Sequence, residues 1–243
     1  MNCTVELFHY PVYSEKLSDI SFVNTLQVVQ TINAYSYVMA ERIPDFKRAL
    51  QNADILIADG FPIVIASRLL KNQKISKIAG ADLFLYFMDM LNKTNGRVFF
   101  LGSTDSTLLK IRDRASIDYP NIIIGKYSPP YKNVFLEEDS LIMLNKINEF
   151  NADVVFVGMT APKQEMWVEA NKQSINAKAV CSIGAVFDFY AGTVNRAPQI
   201  LITLKLEWFY RLCKEPKRMW RRYLIYSPLF FWELFLYLIK IKK

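Results

Sequence analysis

The chain has 243 residues, enough for one sizeable α/β domain with an appendage. Its three cysteines, Cys3, Cys181 and Cys213, share no Cys-x-x-Cys spacing and His9 is its sole histidine, which excludes a disulfide framework, a zinc knuckle and a multi-histidine metal site and disfavours Ser-His-Asp chemistry. The net charge of +7 is uneven: residues 205–243 hold ten Lys and Arg against three Glu, so the whole excess sits in the tail, and a neutral body with a basic, aromatic tail suits an anionic surface, membrane or nucleic acid. With one histidine, proton transfer falls to a carboxylate. No basic segment leads into an apolar core near Met1, so no secretory signal is expected and the setting reads as reducing and cytosolic.

Residues 5–8 suit a short strand and Leu26–Ile32 a second, with Thr31 and Asn33 at its end before a helical pattern over Ala34–Leu50. Open α/β sheets place ligand contacts at the carboxyl ends of strands, and Asn33 equally suits the cap of the following helix. Ala53–Ala58 is a third, buried strand running into Asp59-Gly60, with Phe61-Pro62 opening a helix. A carboxylate pinned at a strand end is placed for general-base work, although Asp-Gly is also an ordinary turn. Asp82 reads as the N-cap of an apolar helix through Leu91. Arg97–Leu101 is a strand, and the Gly102-Ser103-Thr104 turn after it suits a ribose or phosphate, without the glycine spacing of a dinucleotide fingerprint or a P-loop. Asn121–Ile124 follows as a strand and Glu137–Phe150 as a helix.

The run Val154–Val157 reads as a strand buried on both faces. Gly158 then opens a tight turn, and Pro162 fits the first turn of the next helix. Free amides at that helix start, with the positive end of its dipole and donors from Lys163 and Gln164, suit an anion such as a diphosphate. Ala179–Ile183 is a late strand before the glycine-flanked aromatic stretch Gly184–Gly192. The alternation predicts a mostly parallel Rossmann-like sheet with helices on both faces over residues 1–195.

Residues 196–243 are expected to form a helical, basic and aromatic appendage, associating with the membrane or serving as an active-site lid. Arg211, Arg218 and Arg221 suit diphosphate groups, with Pro216 breaking the helix between them. The apolar stretch from Pro228 to Ile239 is interrupted by Pro228 and Glu233 and closed by Lys240, Lys242 and Lys243. It reads as an interfacial helix on anionic lipid rather than a spanning one, or else as a helix docked on the domain. That apolar finish fits lipid better than nucleic acid, so no nucleic-acid partner is expected.

Several stretches together resemble the WecG/TagA/CpsF family of bacterial glycosyltransferases, glycosyltransferase family 26. They are Thr31-x-Asn33, Ala58-Asp59-Gly60, Phe100-Leu101-Gly102-Ser103 and Gly158-x-x-Ala161-Pro162-Lys163-Gln164-Glu165-x-Trp167. Gly184-Ala185-x-Phe187-Asp188-Phe189-x-Ala191-Gly192-Thr193 with Arg196-Ala197-Pro198 follows, and then Leu206-Glu207-Trp208-x-Tyr210-Arg211-Leu212 with Glu215-Pro216-x-Arg218. Met159-Thr160 stands where the family usually has a small or Gly-containing pair.

The resemblance implies inverting transfer of a sugar, N-acetylmannosamine or its uronic acid, from a UDP-sugar to polyprenyl-diphosphate-linked N-acetylglucosamine at the cytoplasmic face of the membrane. It maps the base onto Asp59, substrate contacts onto Thr31, Asn33 and Gln164, and the tail arginines onto Arg211, Arg218 and Arg221. No cofactor is implied, and no Asp-x-Asp metal motif is present, so leaving-group charge would fall to helix amides, Lys163 or an arginine. The alternatives are the same fold and reaction with another UDP-hexose donor, or a membrane-tethered module that holds a nucleotide or lipid diphosphate without turnover. Whether the tail closes over its own site or packs on a neighbour in an oligomer stays open.

Overall fold

The computed structural model describes residues 3–195, 197–204 and 206–241. Arg196, Lys205, Lys242 and Lys243 lie outside the described residues. Strands β1 (Thr4–Leu7) and β2 (Tyr10–Tyr13) form an antiparallel hairpin where the sequence suggested one strand. Its two-residue turn, Phe8-His9, has φ of +52° and +69°, the double positive φ that matches strand twist but is usually met with Asn or Gly. After β3 (Gln27–Ile32), the helix expected over 34–50 is two helices, α1 (Ala34–Ala40) and α2 (Pro44–Gln51). Pro44 supplies no N–H to the preceding turn and so starts a new helix.

Strand β4 (Ile55–Ala58), α3 (Phe61–Lys71), α4 (Gly80–Thr94), β5 (Arg97–Leu101) and α5 (Asp105–Asp118) come next. Asp82 is not the N-cap of α4; it lies one turn inside, and its carboxylate accepts the Ala79 N–H at 3.2 Å. Strand β6 (Ile123–Tyr127), α6 (Glu137–Phe150), β7 (Val154–Val157), α7 (Lys163–Asn171), β8 (Ala179–Ser182) and the short α8 (Val186–Tyr190) complete the body. The eight strands run β1-β2-β4-β3-β8-β7-β5-β6, parallel throughout except for the β1–β2 pair.

β7 lies inside the sheet and is buried on both faces: Val154 and Phe156 join one apolar cluster, Val155 and Val157 another. A third cluster, under α1, α2 and α3, takes in Phe230 and Leu234 from the C-terminal helix.

The tail comprises α9 (Gln199–Thr203), α10 (Glu207–Lys214), α11 (Pro216–Trp220), a π-helical stretch Arg221–Tyr226, and α12 (Ser227–Ile241). The break predicted at Pro216 is present, with Glu215 out of helical geometry at φ −131° and ψ 58°. Pro228 and Glu233, which interrupt the apolar stretch, do not end the helix, and Pro216–Lys240 runs as one helix of 25 residues. The π-helical stretch directly before Pro228 loosens the hydrogen-bond ladder where proline lacks its N–H. This helix is long and apolar enough, by length and composition, to cross a membrane. One side of it nevertheless docks on the body: Phe230 and Leu234 are 0% and 3% exposed, anchors worth about 1.5–3 kcal/mol each. Its opposite side exposes Phe231, Trp232, Phe235, Leu236 and Ile239.

Candidate active site

A cavity of ≈ 870 Å³ runs along the carboxyl edge of the parallel strands and is roofed by the tail. Six strands deliver a residue to it: Asp59 follows β4, Asn33 follows β3, Gly184 follows β8, Gly158 follows β7, Ser103 follows β5 and Ser128 follows β6. This is where an open α/β sheet leaves strand-end loops free to hold a ligand, and the volume suits a nucleotide-sized molecule.

Asp59 is held by its own backbone N–H, which donates to Ile32 O at 2.9 Å, and Gly60 turns the chain away at φ +150°. Burial raises the Asp59 carboxyl above its ordinary 3.8, against the pull of Arg222, Lys77 and Arg211 and with a push from Glu207. A carboxyl so raised takes up a proton more readily than an exposed aspartate, as a general base requires. Lys77 Nζ is 3.8 Å from Glu207 Oε2, which ties α10 to the segment between α3 and α4.

Thr31 and Asn33 line the cavity on either side of Ile32. The capping reading of Asn33 holds: Oδ1 accepts the Ser36 N–H at 3.0 Å, and Ser36 Oγ accepts the Asn33 N–H at 2.7 Å. Ser103 lines the cavity at φ +64°, and its carbonyl accepts from Ser128 Oγ at 2.8 Å. Gly102 is not among the lining residues; it sits one position behind at φ +105°, where an added Cβ would come within 2.9 Å of Met159 Cγ.

The turn after β7 differs from expectation. Pro162 stands before the first helical residue, after a cis Ala161–Pro162 bond, and is not in the cavity lining. Lys163 and Gln164 do line the cavity, but their polar atoms are engaged within the protein. Lys163 Nζ donates to Lys132 O at 2.7 Å and lies 4.3 Å from the Phe135 ring centre, and burial lowers its pKa. Gln164 Oε1 accepts the Met159 N–H at 3.1 Å, while Nε2 donates to Glu165 Oε1 at 2.8 Å. Glu165, 2% exposed, also takes its own backbone N–H. The start of α7 is therefore already faced by a carboxyl of the protein, where free amides for a diphosphate were expected. Burial pushes that carboxyl up to about 7, with Gln164, its own N–H and Arg222 acting to lower it.

The cationic wall is supplied by the tail. Arg211, Arg218 and Arg221 all line the cavity, from α10, α11 and the π-helical stretch. Arg211 lies 5.3 Å from the Phe189 ring centre, Arg221 5.3 Å from that of Trp220, and Arg218 is 3.2 Å from Glu215 Oε1. Arg222 joins them, packed 5.0 Å from the Tyr35 ring centre, and its charge faces Asp59. Sequence reasoning gave no site role to Arg222, Glu165, Tyr35 or Glu207, although Glu165 and Glu207 stand in the stretches that resemble the family; for Arg222 the available signal was its four-residue spacing from Arg218, which sets both on one helical face.

The family model described as the WecG/TagA/CpsF family of glycosyl transferases matches residues 2–243. A Bacillus subtilis (strain 168) protein called N-acetylglucosaminyldiphosphoundecaprenol N-acetyl-beta-D-mannosaminyltransferase is 35% identical over 198 residues, covering 81% of this chain and 75% of that one. A Bacillus spizizenii (strain ATCC 23059 / NRRL B-14472 / W23) protein of the same name is 32% identical over 220 residues, covering 88% and 83%. A Staphylococcus aureus (strain MW2) protein, again of that name, is 29% identical over 194 residues, covering 80% and 74%.

Proposed function

The chain belongs to the WecG/TagA/CpsF family of glycosyltransferases, and from that premise we propose that it moves N-acetylmannosamine from a UDP-sugar onto undecaprenyl-diphosphate-linked N-acetylglucosamine, as a step in building a cell-surface polymer. The sugar and the lipid-linked acceptor are those in its relatives' names. The observation that carries the reading is the meeting, in one cavity, of a proton-avid Asp59 and an arginine wall.

In an inverting displacement the acceptor hydroxyl attacks the anomeric carbon as the C–O bond to UDP breaks on the far side. The acceptor proton passes to Asp59, a role worth about 10²–10⁴-fold in rate. Negative charge grows on the departing diphosphate, and Arg211, Arg218 and Arg221 offer the fixed positive charge that a metal would otherwise bring. Transfer is accordingly proposed to need no metal, with activity unchanged by EDTA. Thr31, Asn33 and Ser103 are assigned to the substrate walls.

The protein is proposed to work at the cytoplasmic face as a peripheral protein, with the docked α12 laying its exposed aromatic side into the interface. The reading is tested by mass-spectrometric detection of transfer from UDP-N-acetylmannosamine to a soluble N-acetylglucosaminyl-diphospholipid analogue. Asp59→Asn should lose at least a hundredfold in rate while still binding UDP; a variant as active as the parent would overturn the assignment of the base.

A further inference from the structure

Glu165 does something that the reaction outlined above leaves unexplained. Its Oε1 is satisfied by Gln164, whereas its Oε2 is sealed from bulk water and has no hydrogen-bond partner among the described residues. The side chain is 2% exposed and lines the cavity within the electrostatic reach of Arg222 and Tyr35, which line it too. An orphaned buried carboxyl oxygen is costly, and folds keep one mainly where a ligand completes it. Once ionised, the carboxyl repels a diphosphate in a low-dielectric pocket, so a charged partner suits it only while it holds its proton. A neutral hydroxyl or amide can complete it.

We propose that Glu165 is a sugar-binding residue whose Oε2 hydrogen-bonds a hydroxyl or acetamido group of a bound sugar. The carboxyls Glu165 and Asp59, with Arg222 facing both, mark the part of the cavity that holds sugar, and Arg218 and Arg221 are left for the diphosphate. The assignment rests on the proposed glycosyl transfer and adds to it a named contact and an orientation for the substrates. Donor sugar and acceptor sugar share the required chemistry, and the experiment separates them.

Binding of UDP, UDP-N-acetylmannosamine and the soluble N-acetylglucosaminyl-diphospholipid analogue is measured by calorimetry on the full chain, for the parent, Glu165→Gln and Glu165→Ala. Glu165→Gln preserves the acceptor for Gln164 Nε2, so it tests Oε2 without releasing that side chain, and a thermal melt of each variant checks folding. Expected is a loss of about tenfold or more for one sugar-bearing ligand in both variants, with UDP affinity unchanged. Loss confined to the UDP-sugar places Glu165 on the donor, and loss confined to the lipid analogue places it on the acceptor. Parent protein that binds none of the three sinks the glycosyl-transfer reading itself. Tight binding by the parent with unaltered affinity for both sugars in Glu165→Gln, or loss of UDP affinity to the same degree, sinks the Glu165 assignment alone.

Discussion

Glu165→Gln should stabilise the protein increasingly as pH rises. The native carboxyl holds its proton up to about pH 7, whereas its ordinary value is 4.5. Between those two values the native state binds more protons than the unfolded chain, so the parent loses stability as pH climbs through the window. Above it, the whole difference is a penalty on the folded state, roughly 3 kcal/mol. Glutamine carries no ionisation, so the variant escapes this penalty while keeping an acceptor for Gln164. In a chain of this size about 1 kcal/mol moves the melting temperature by about 2–4 °C, so the gap between variant and parent should widen by roughly 6–12 °C from pH 4.5 to pH 8. Asp59 faces the same Arg222 but is present in both proteins, and its contribution largely cancels in the difference. The assay is calorimetric melting of both proteins across that range. A gap that stays constant between pH 4.5 and pH 8 would refute the claim that Glu165 is held protonated by burial, whatever its absolute size.

Gly158→Ala should lower stability by about 1–3 kcal/mol, read as a fall in melting temperature, because its Cβ would enter the ring of Phe187, itself only 1% exposed. Replacing Arg218 and Arg221 by Glu should reduce transfer at least a hundredfold with an unchanged melting profile, since both side chains are exposed; turnover at the parent rate would remove them from the diphosphate. Trp232→Glu with Phe235→Glu should abolish flotation with anionic vesicles while leaving the fold intact, as these residues are 58% and 51% exposed. Equal flotation of variant and parent would move the lipid contact elsewhere.

The fold was legible wherever burial writes a pattern by itself. Val154–Val157 is apolar at every position because helices cover both faces of the inner strand, and no turn residue intrudes. Strand β6 was drawn short, ending at Ile124, because Gly125 and Lys126 resemble a turn. Gly125 is there for packing: a Cβ would come within 2.6 Å of the Phe99 ring and 2.8 Å of the Phe150 ring. Strand β2 was missed for the opposite reason, since Pro11 sits inside it and the Phe8-His9 turn carries no glycine or asparagine. Pro228 read as an interruption because its remedy, a π-helical stretch just before it, has no signature in local sequence.

The site was half legible, and the division follows charge. Asp59 and the tail arginines announce themselves as polar groups at strand ends or in aromatic surroundings, where burial is not needed to explain them. Glu165 does not, because an acidic residue in the first turn of a helix is ordinarily a solvated partner of the dipole. Its burial, with Arg222 in electrostatic reach, shows only in the fold. The docked tail also brings the cavity its cations, where the chain's positive excess lies. The cavity lining from the body holds Asp59, Asp105, Glu165 and Asp188 against Lys163 alone, and the tail adds Glu207 with Arg211, Arg218, Arg221 and Arg222. The body's lining alone is net negative and would repel a diphosphate; the tail brings the lining to formal neutrality and supplies the arginines that a diphosphate can meet. Anion binding and the seating of Phe230 and Leu234 in the core are therefore coupled, and a ligand that carries a diphosphate must favour the docked tail by as much as the docked tail favours it.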